Sequence, residues 1–359
     1  MVYVLVFLAV WVVGLAATPV AQQISRRWQI VARPGGRRQH QGDIPKLGGL
    51  PLLAALVVGV SLVYWLMPPL QPADALRLRG VVLGTLVITL GGFVDDRWEL
   101  APIPQFTIQA VGALIAMSHT IFIEVFSNPL PAPGLWNMLP LSWVFSYDAA
   151  TGLVWVWRPL ALLLTLLWMM GMINAVNWLD GLDGLAAGVC AIAALLFAWH
   201  SYTLGQQTVA LFPLILAAAL LGFLPFNFAP ARIFLGTGGA YLLGYQMATL
   251  SILSPAKLST ALLVLAVPIL DGAWLVISRW RQGRNPLQGG RDHLHFRLSD
   301  GGMPTRQIVV GYYVVTAVFG LIAISIPSRS LKVLLWLLLY ALVFLLLVRL
   351  SKRKLPADT

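Results

Sequence analysis

Residues 159–184 read PLALLLTLLWMMGMINAVNWLDGLDG. An apolar run of bilayer length ends here in two asparagines and two aspartates. A membrane helix needs about 20 mostly apolar residues, so the run predicts a span over 159–177. Asn174, Asn177 and Asp180 recur at intervals of three, which brings them near one face of the last turns. Asp183 lies beyond Gly181, and Gly184 opens the next helix, whose N-terminal amides favour anions. A capped interhelical turn is the bland alternative, but it requires neither two amides nor two acids.

The same pattern recurs along the chain and sets its class. Of 359 residues, 59% are hydrophobic and only 10% charged, with a mean hydropathy of +0.82. Soluble domains do not carry so many bilayer-length runs. The chain is expected to be an all-α polytopic integral membrane protein, one domain over 1–359. Eleven helices are expected near 3–20, 47–66, 80–95, 105–124, 159–177, 185–201, 207–226, 239–253, 258–278, 307–326 and 331–349. The first run lacks a basic leader segment and reads as a span, not a cleaved signal. With the N-terminus outside and the C-terminus cytoplasmic, 18 of the 24 Lys and Arg fall on the inner side, as membrane orientation favours. The formal charge of +11 is then mostly an inner-face charge suited to anionic substrates, and does not indicate nucleic acid. Segment 127–158, rich in Pro and Trp, reads as an extracytoplasmic hairpin or interfacial loop. Segment 279–306 is the largest basic cytoplasmic loop. The lone Cys190 lies in an apolar stretch, reads as core packing and excludes a disulfide framework.

Under this topology five polar motifs share the cytoplasmic side: HQGDIPKLGG (40–49), DDRWEL (95–100), NAVNWLDGLDG (174–184), FNFAPARIFLGTGG (226–239) and GGRDHLHFRL (289–298). Asp95 and Asp96 end an apolar run, where a helix dipole opposes further negative charge. They read as a metal–phosphate site or as a base beside a phosphate nucleophile, or else as solvated terminal residues partnered by Arg97. His293 and His295 are bracketed by Arg291 and Arg297, a setting for a diphosphate more than for zinc, which would want further Cys or His ligands. Lys46 supplies a cation to the first loop, and His40 reads equally as surface or site. His119 and His200 read as structural. Gly48–Gly49 and Gly236–Gly239 are glycine-containing joints, suited to a phosphate or to close helix packing. Phe234 precedes the second joint and is placed to stack on a base or to fill core.

Taken together and in this order, these motifs resemble the polyprenyl-phosphate N-acetylhexosamine-1-phosphate transferase family over roughly residues 40–310. The phospho-N-acetylmuramoyl-pentapeptide translocase is a more distant relative whose first-loop signature is absent here. The resemblance implies transfer of a sugar-1-phosphate, with GlcNAc-1-phosphate the expected group, from a UDP-sugar to undecaprenyl phosphate. UMP is released with Mg²⁺ or Mn²⁺, at the cytoplasmic face of a bacterial inner membrane, as a first step of envelope glycan synthesis such as lipopolysaccharide or teichoic acid. It also implies a homodimer. By position it assigns Asp95 and Asp96 to the lipid phosphate and metal, Asp180 to catalysis and metal, and Asp183, Asn227 and Phe234 to uridine. His293 and His295 fall near the diphosphate and sugar, with Asn174, Asn177, Lys46, Arg291 and Arg297 as further substrate contacts.

The chain departs from the family twice. HLHF ends in Phe296 where closer relatives have a histidine. More seriously, the family's metal-binding Asp of the glycine motif is Thr237 here, a neutral oxygen ligand at best. That leaves a substitution that disables turnover, a rearranged metal shell, or a protein that binds without catalysing. On the first two readings, Thr237→Asp is expected to raise Mg²⁺-dependent transfer by orders of magnitude. A cation-coupled transporter is the rival outside the family; it would bury acids at mid-membrane and show repeat halves, whereas the paired acids here sit at the inner ends of spans and no internal repeat is visible.

Overall fold

The computed structural model describes residues 1–33, 42–68, 71–127, 144–148, 153–253, 257–284, 290, 292–326 and 329–351. Among them are α1 (Val2–Arg27), α2 (Gly49–Leu66), α3 (Pro72–Trp98), α4 (Pro102–Ser118), α5 (Arg158–Leu179), α6 (Leu185–Thr203) and α7 (Gln207–Asn227). Then come α8 (Gly236–Leu253), α9 (Lys257–Val264), α10 (Ala266–Arg281), α11 (Leu294–Asp300), α12 (Thr305–Ser325) and α13 (Arg329–Ser351). Seven of these, α1, α2, α3, α5, α6, α7 and α12, are long and apolar enough to cross a membrane. The architecture is that of a polytopic helical membrane protein.

The bundle is organised around α8. Every residue from Gly238 to Ser251 is buried, because α8 packs against α2, α3 and α5 on its long sides and touches α4, α6 and α9. Protein surrounds it, so its side chains need not be lipid-soluble. That is why this expected span is not among the seven that qualify by length and hydropathy. Its polar groups are paired inside the bundle, as a low-dielectric interior requires: Gln246 Nε2 donates to Thr85 Oγ1 at 2.7 Å and Tyr245 OH to the Gly80 carbonyl at 2.9 Å. Ser251 Oγ accepts from Trp168 Nε1 at 3.1 Å. At its N-terminal end α8 meets α3 backbone to backbone. A Cβ on Gly92 would lie 2.5 Å from the Cα of Gly238, so only glycine allows this crossing.

Several expected elements differ in extent: α1 runs on to Arg27, and α3 already starts at Pro72. The span over 105–124 is a helix only to Ser118; Thr120 takes φ +61° and the chain turns out into strand β3 (Val125–Ser127). The span over 258–278 is two helices, α9 and α10, broken at Leu265. Pro268 stands in the first turn of α10, where its missing N–H removes no bond within that helix. The basic segment 279–306 contains the short helix α11 and the last turn of α10. In segment 127–158, β4 (Phe145–Asp148) and β5 (Leu153–Val156) pair antiparallel, and β3 lies on the other side of β5. Near the other end of the molecule, two short strands, β1 (Val31–Ala32) and β2 (Ile44–Pro45), pair antiparallel and deliver Lys46 to the start of α2.

Candidate active site

Helices α3 and α8 pack side by side and antiparallel, so the C-terminal end of α3 lies beside the N-terminal end of α8, and the acid pair sits where they meet. Asp95 and Asp96 are 8% and 6% exposed, far from the solvated ends that charge alone would suggest. Asp96 Oδ1 accepts the Thr237 amide and Oδ2 the Gly238 amide, each at 3.0 Å. A carboxylate from one helix thereby caps another. The dipole at the end of α3 opposes this charge, and the dipole at the start of α8 favours it. Gly236, at φ +73°, admits the approach; a Cβ there would overlap the Lys46 carbonyl oxygen. Lys46 Nζ lies 3.4 Å from Asp96 Oδ1 and donates to the Asp96 carbonyl at 3.3 Å. The lysine is held in turn by a backbone seam: Phe234 N donates to Pro45 O, Gly48 N to Phe234 O and Gly49 N to Leu235 O, at 2.8, 3.0 and 3.1 Å.

Asp95 is equally engaged. Its Oδ1 accepts from the Leu100 amide at 3.0 Å and Gln105 Nε2 at 2.9 Å, and its Oδ2 accepts from Thr237 Oγ1 at 2.7 Å. Thr237 therefore acts here as a donor to the acid pair.

Asp180 follows the last residue of α5, in the turn that leads to Gly184. Burial first, then the charges of Asp96 and Asp183, push its carboxyl up to about 8. Asp183 Oδ2 accepts the Ala231 amide at 2.8 Å, and Asn227 Nδ2 donates to Ile233 O at 2.9 Å. These two bonds shape the 228–235 connection and so fix the backbone from which Phe234 projects.

The histidine motif closes over the same turn. A Cβ on Gly181 would overlap His295 Nε2 and lie 2.7 Å from Phe296 Cζ. The rings of His293 and His295 stack with centroids 5.6 Å apart, and Trp178 lies 5.8 Å from His293. Arg297 Nε donates to the Asp292 carbonyl at 2.7 Å, and Arg279 pairs with the Asp292 carboxylate at 3.0 Å. Arg291 and His40 lie outside the described residues.

The fit to a divalent cation differs between the two acidic groups. Among the described residues no three His, Cys, Asp or Glu side chains are arranged to hold a metal ion. At the Asp95–Asp96–Thr237 corner the donor set does not fit one, because each carboxylate oxygen already accepts from a protein donor and the third member is neutral. Around Asp180 the charges of Asp96 and Asp183 add to burial in raising the carboxyl, so Asp180 is the residue that would hold a cation.

Asn174 is placed elsewhere. It forms a reciprocal amide pair with Gln109 on α4, at 2.6 and 3.2 Å, and also donates to Met170 O. Asn177, nearer the acid turn, is half-buried. Sequence reasoning missed Gln105, whose amide braces Asp95 and which carries no sequence signal. It also missed Asp271, which lay in plain view as an acid inside LLVLAVPILDGAWLVIS, since a carboxylate inside a span is a functional suspect by default.

Comparisons with known proteins bear on the family. The glycosyl transferase family 4 profile matches residues 78–255. The chain is 29% identical over 353 residues to the probable undecaprenyl-phosphate N-acetylglucosaminyl 1-phosphate transferase of Bacillus subtilis, covering 96% of this chain and 89% of the relative. It is 30% identical over 331 residues to the undecaprenyl-phosphate alpha-N-acetylglucosaminyl 1-phosphate transferase of Haemophilus influenzae, covering 89% and 84%. It is also 30% identical over 336 residues to the decaprenyl-phosphate N-acetylglucosaminephosphotransferase of Mycobacterium leprae, covering 86% and 80%. With the motif loops gathered at one end of the bundle and likeness running along most of each relative, the chain belongs to the polyprenyl-phosphate N-acetylhexosamine-1-phosphate transferases of glycosyl transferase family 4.

Proposed function

We propose that this protein transfers N-acetylglucosamine-1-phosphate from UDP-GlcNAc to undecaprenyl phosphate, releasing UMP, at the cytoplasmic face of a bacterial inner membrane. The observation that carries the proposal is the Asp180 turn. One half-buried carboxyl lies within the field of Asp96 and Asp183, His295 and Phe296 close over the same turn, and an apolar bundle lies beneath. A lipid phosphate can reach such a site laterally while a sugar nucleotide enters from water. Eleven spans with the N-terminus outside would put Lys46, Asp96, Asp180 and the histidines on that inner face.

In the reaction, an oxygen of the lipid phosphate attacks the sugar-linked phosphorus of the nucleotide. The new phosphorus–oxygen bond forms as the bond to the bridging oxygen breaks, and UMP leaves with that oxygen and its electron pair. Lys46 offers positive charge beside Asp96 for the incoming lipid phosphate. Asp180, once ionised, keeps the nucleophile deprotonated and aligned. Asp183 and Asn227 hold the 228–235 connection that presents Phe234 to the uracil. His293, His295 and Arg297 counter charge on the diphosphate. A Mg²⁺ or Mn²⁺ ion, when bound, would offset diphosphate charge, and Asp180 is the residue that would hold it.

A second reading, binding without turnover, is favoured by one observation: the bond from Thr237 to Asp95 stands where the family carries a carboxylate. One assay separates the two. Purified protein is incubated with undecaprenyl phosphate and a panel of UDP-sugars, with and without Mg²⁺, and UMP is measured. The proposal expects UMP with UDP-GlcNAc; no UMP from any sugar, in wild type and Thr237→Asp alike, overturns it.

A further inference from the structure

Asp271 lies on α10, outside every motif that led to the site, and is 5% exposed. Both its oxygens point at the histidine motif. Oδ2 lies 2.8 Å from His293 Nδ1, and Oδ1 accepts the Leu294 amide at 2.9 Å. A carboxylate can only accept hydrogen bonds, so this contact places a proton on His293 Nδ1. In the neutral ring Nε2 is then the bare nitrogen. The next residue on α10 admits a neighbour of the ring: Gly272 leaves room for Trp178, whose Cζ3 would lie 2.8 Å from a Cβ there. Trp178 in turn sits 5.8 Å from the His293 ring and two residues before Asp180. The Leu294 bond ties the same carboxylate to the first residue of α11, which sets the direction in which that helix leaves.

We propose that Asp271 is a positioning residue of the transfer site: it fixes the tautomer and orientation of His293 so that Nε2 is presented to the phosphate groups. This rests on the proposed transfer reaction, because His293 is what Asp271 acts through. On that reading Nε2 takes up a proton from solvent and donates it in a hydrogen bond to the phosphate of the departing nucleotide, while Nδ1–H stays bonded to Asp271; the imidazolium so formed counters the diphosphate charge. Orientation of this kind matters most once charge develops, so its loss should appear in kcat more than in KM.

The test uses the full-length protein in detergent or nanodiscs. Asp271→Asn keeps the shape and one acceptor for the Leu294 amide, but turns an NH₂ donor toward His293 and favours the opposite tautomer. With ¹⁵N-labelled histidine and His293→Gln to assign the signal, neutral wild type should give a protonated Nδ1 and a bare Nε2, and Asp271→Asn should reverse them. That reading is independent of turnover. In the UMP assay Asp271→Asn should lower kcat about 10²–10⁴-fold with KM for the UDP-sugar changed less than about threefold. Asp271→Glu should recover part of the rate. Adding Asp271→Asn to His293→Gln should cost little more than His293→Gln alone. If the tautomer is unchanged in Asp271→Asn, or the two losses simply add, Asp271 is structural and the proposal fails. Wild type inactive with every sugar, yet with the expected tautomers, would count against the transfer reading and leave the Asp271–His293 arrangement standing.

Discussion

Replacing Thr237 by Asp tests the account of the acid pair directly. The threonine hydroxyl donates to Asp95 Oδ2 at 2.7 Å; an aspartate would put a third carboxylate there, with Asp96 on the adjoining amides. Two like charges about 4 Å apart at an effective dielectric of about 20 cost about 4 kcal/mol. Protonating the newcomer instead, from an ordinary value near 3.9, costs about 1.4 kcal/mol per pH unit, again about 4 kcal/mol at pH 7. Both routes give the same bound. Without a divalent cation, Thr237→Asp should therefore lose about 3–4 kcal/mol, read as a melting temperature about 5–10 °C lower in EDTA. Mg²⁺ at about 100 times its dissociation constant should restore about 2.7 kcal/mol, and mildly acidic pH should restore part of it too. Thr237→Ser keeps the hydroxyl and should melt like wild type. If turnover needs a cation at this corner, Mg²⁺-dependent UMP release should rise in the same variant. Equal melting of wild type and Thr237→Asp in EDTA, or equal stabilisation of both by Mg²⁺, would refute the reasoning.

Asp180 gives a pH prediction. Its folded value, about 8, lies above the ordinary carboxylate value, so the folded state keeps a proton that the unfolded state releases. This contribution to stability is full below about 4 and is lost as pH rises through about 8. A cation at Asp180 must displace that proton, so Mn²⁺ affinity should rise up to tenfold per pH unit below 8 and flatten above it. Calorimetry in two buffers of different ionisation enthalpy reads the released proton, and proton-independent binding at pH 6–7 would contradict the assignment. Asp96→Asn leaves one acceptor oxygen where two amides of α8 need two and removes the charge beside Lys46. It should cost about 2–4 kcal/mol whether or not Mg²⁺ is present, and an unchanged melting curve in EDTA would exclude the capping role.

Hydropathy made most of the bundle legible, because lipid-facing helices must be apolar along their length. It said little where protein replaces lipid as the neighbour. The central helix α8 carries Gln246, Thr249 and Ser251 within its buried stretch, and its composition reports pairing partners, not a solvent. Hydropathy was also blind to the break between α9 and α10, because a missing N–H changes hydrogen bonding without changing polarity. Spacing alone could not separate Asn174 from Asp180. Both lie near one face of α5, but Asn174 meets Gln109 of a neighbouring helix and Asp180 stands past the helix end. Asp271 was legible in principle and was overlooked because it belongs to no loop.

The acid pair also changes what an intact motif implies. The sequence encourages the inference that a chain keeping Asp95, Asp96, Asp180 and the histidines keeps them for turnover, with Thr237 the one anomaly. In the structure Asp96 closes the N-terminus of the most buried helix in the bundle, and Asp95 ties the end of α3 to Leu100 and Gln105. A protein that never transferred a sugar phosphate would still need both to join α3 to α8. Their presence is therefore weak evidence of catalysis. Asp180 carries the stronger argument. A carboxyl half-buried beside like charges costs stability whenever it ionises, and among the described residues the charges that act on Asp180 are those of Asp96 and Asp183. Such a cost is consistent with a site built to receive positive charge together with its substrate, and the proton-release measurement on Asp180 bears on function more directly than any count of surviving motifs.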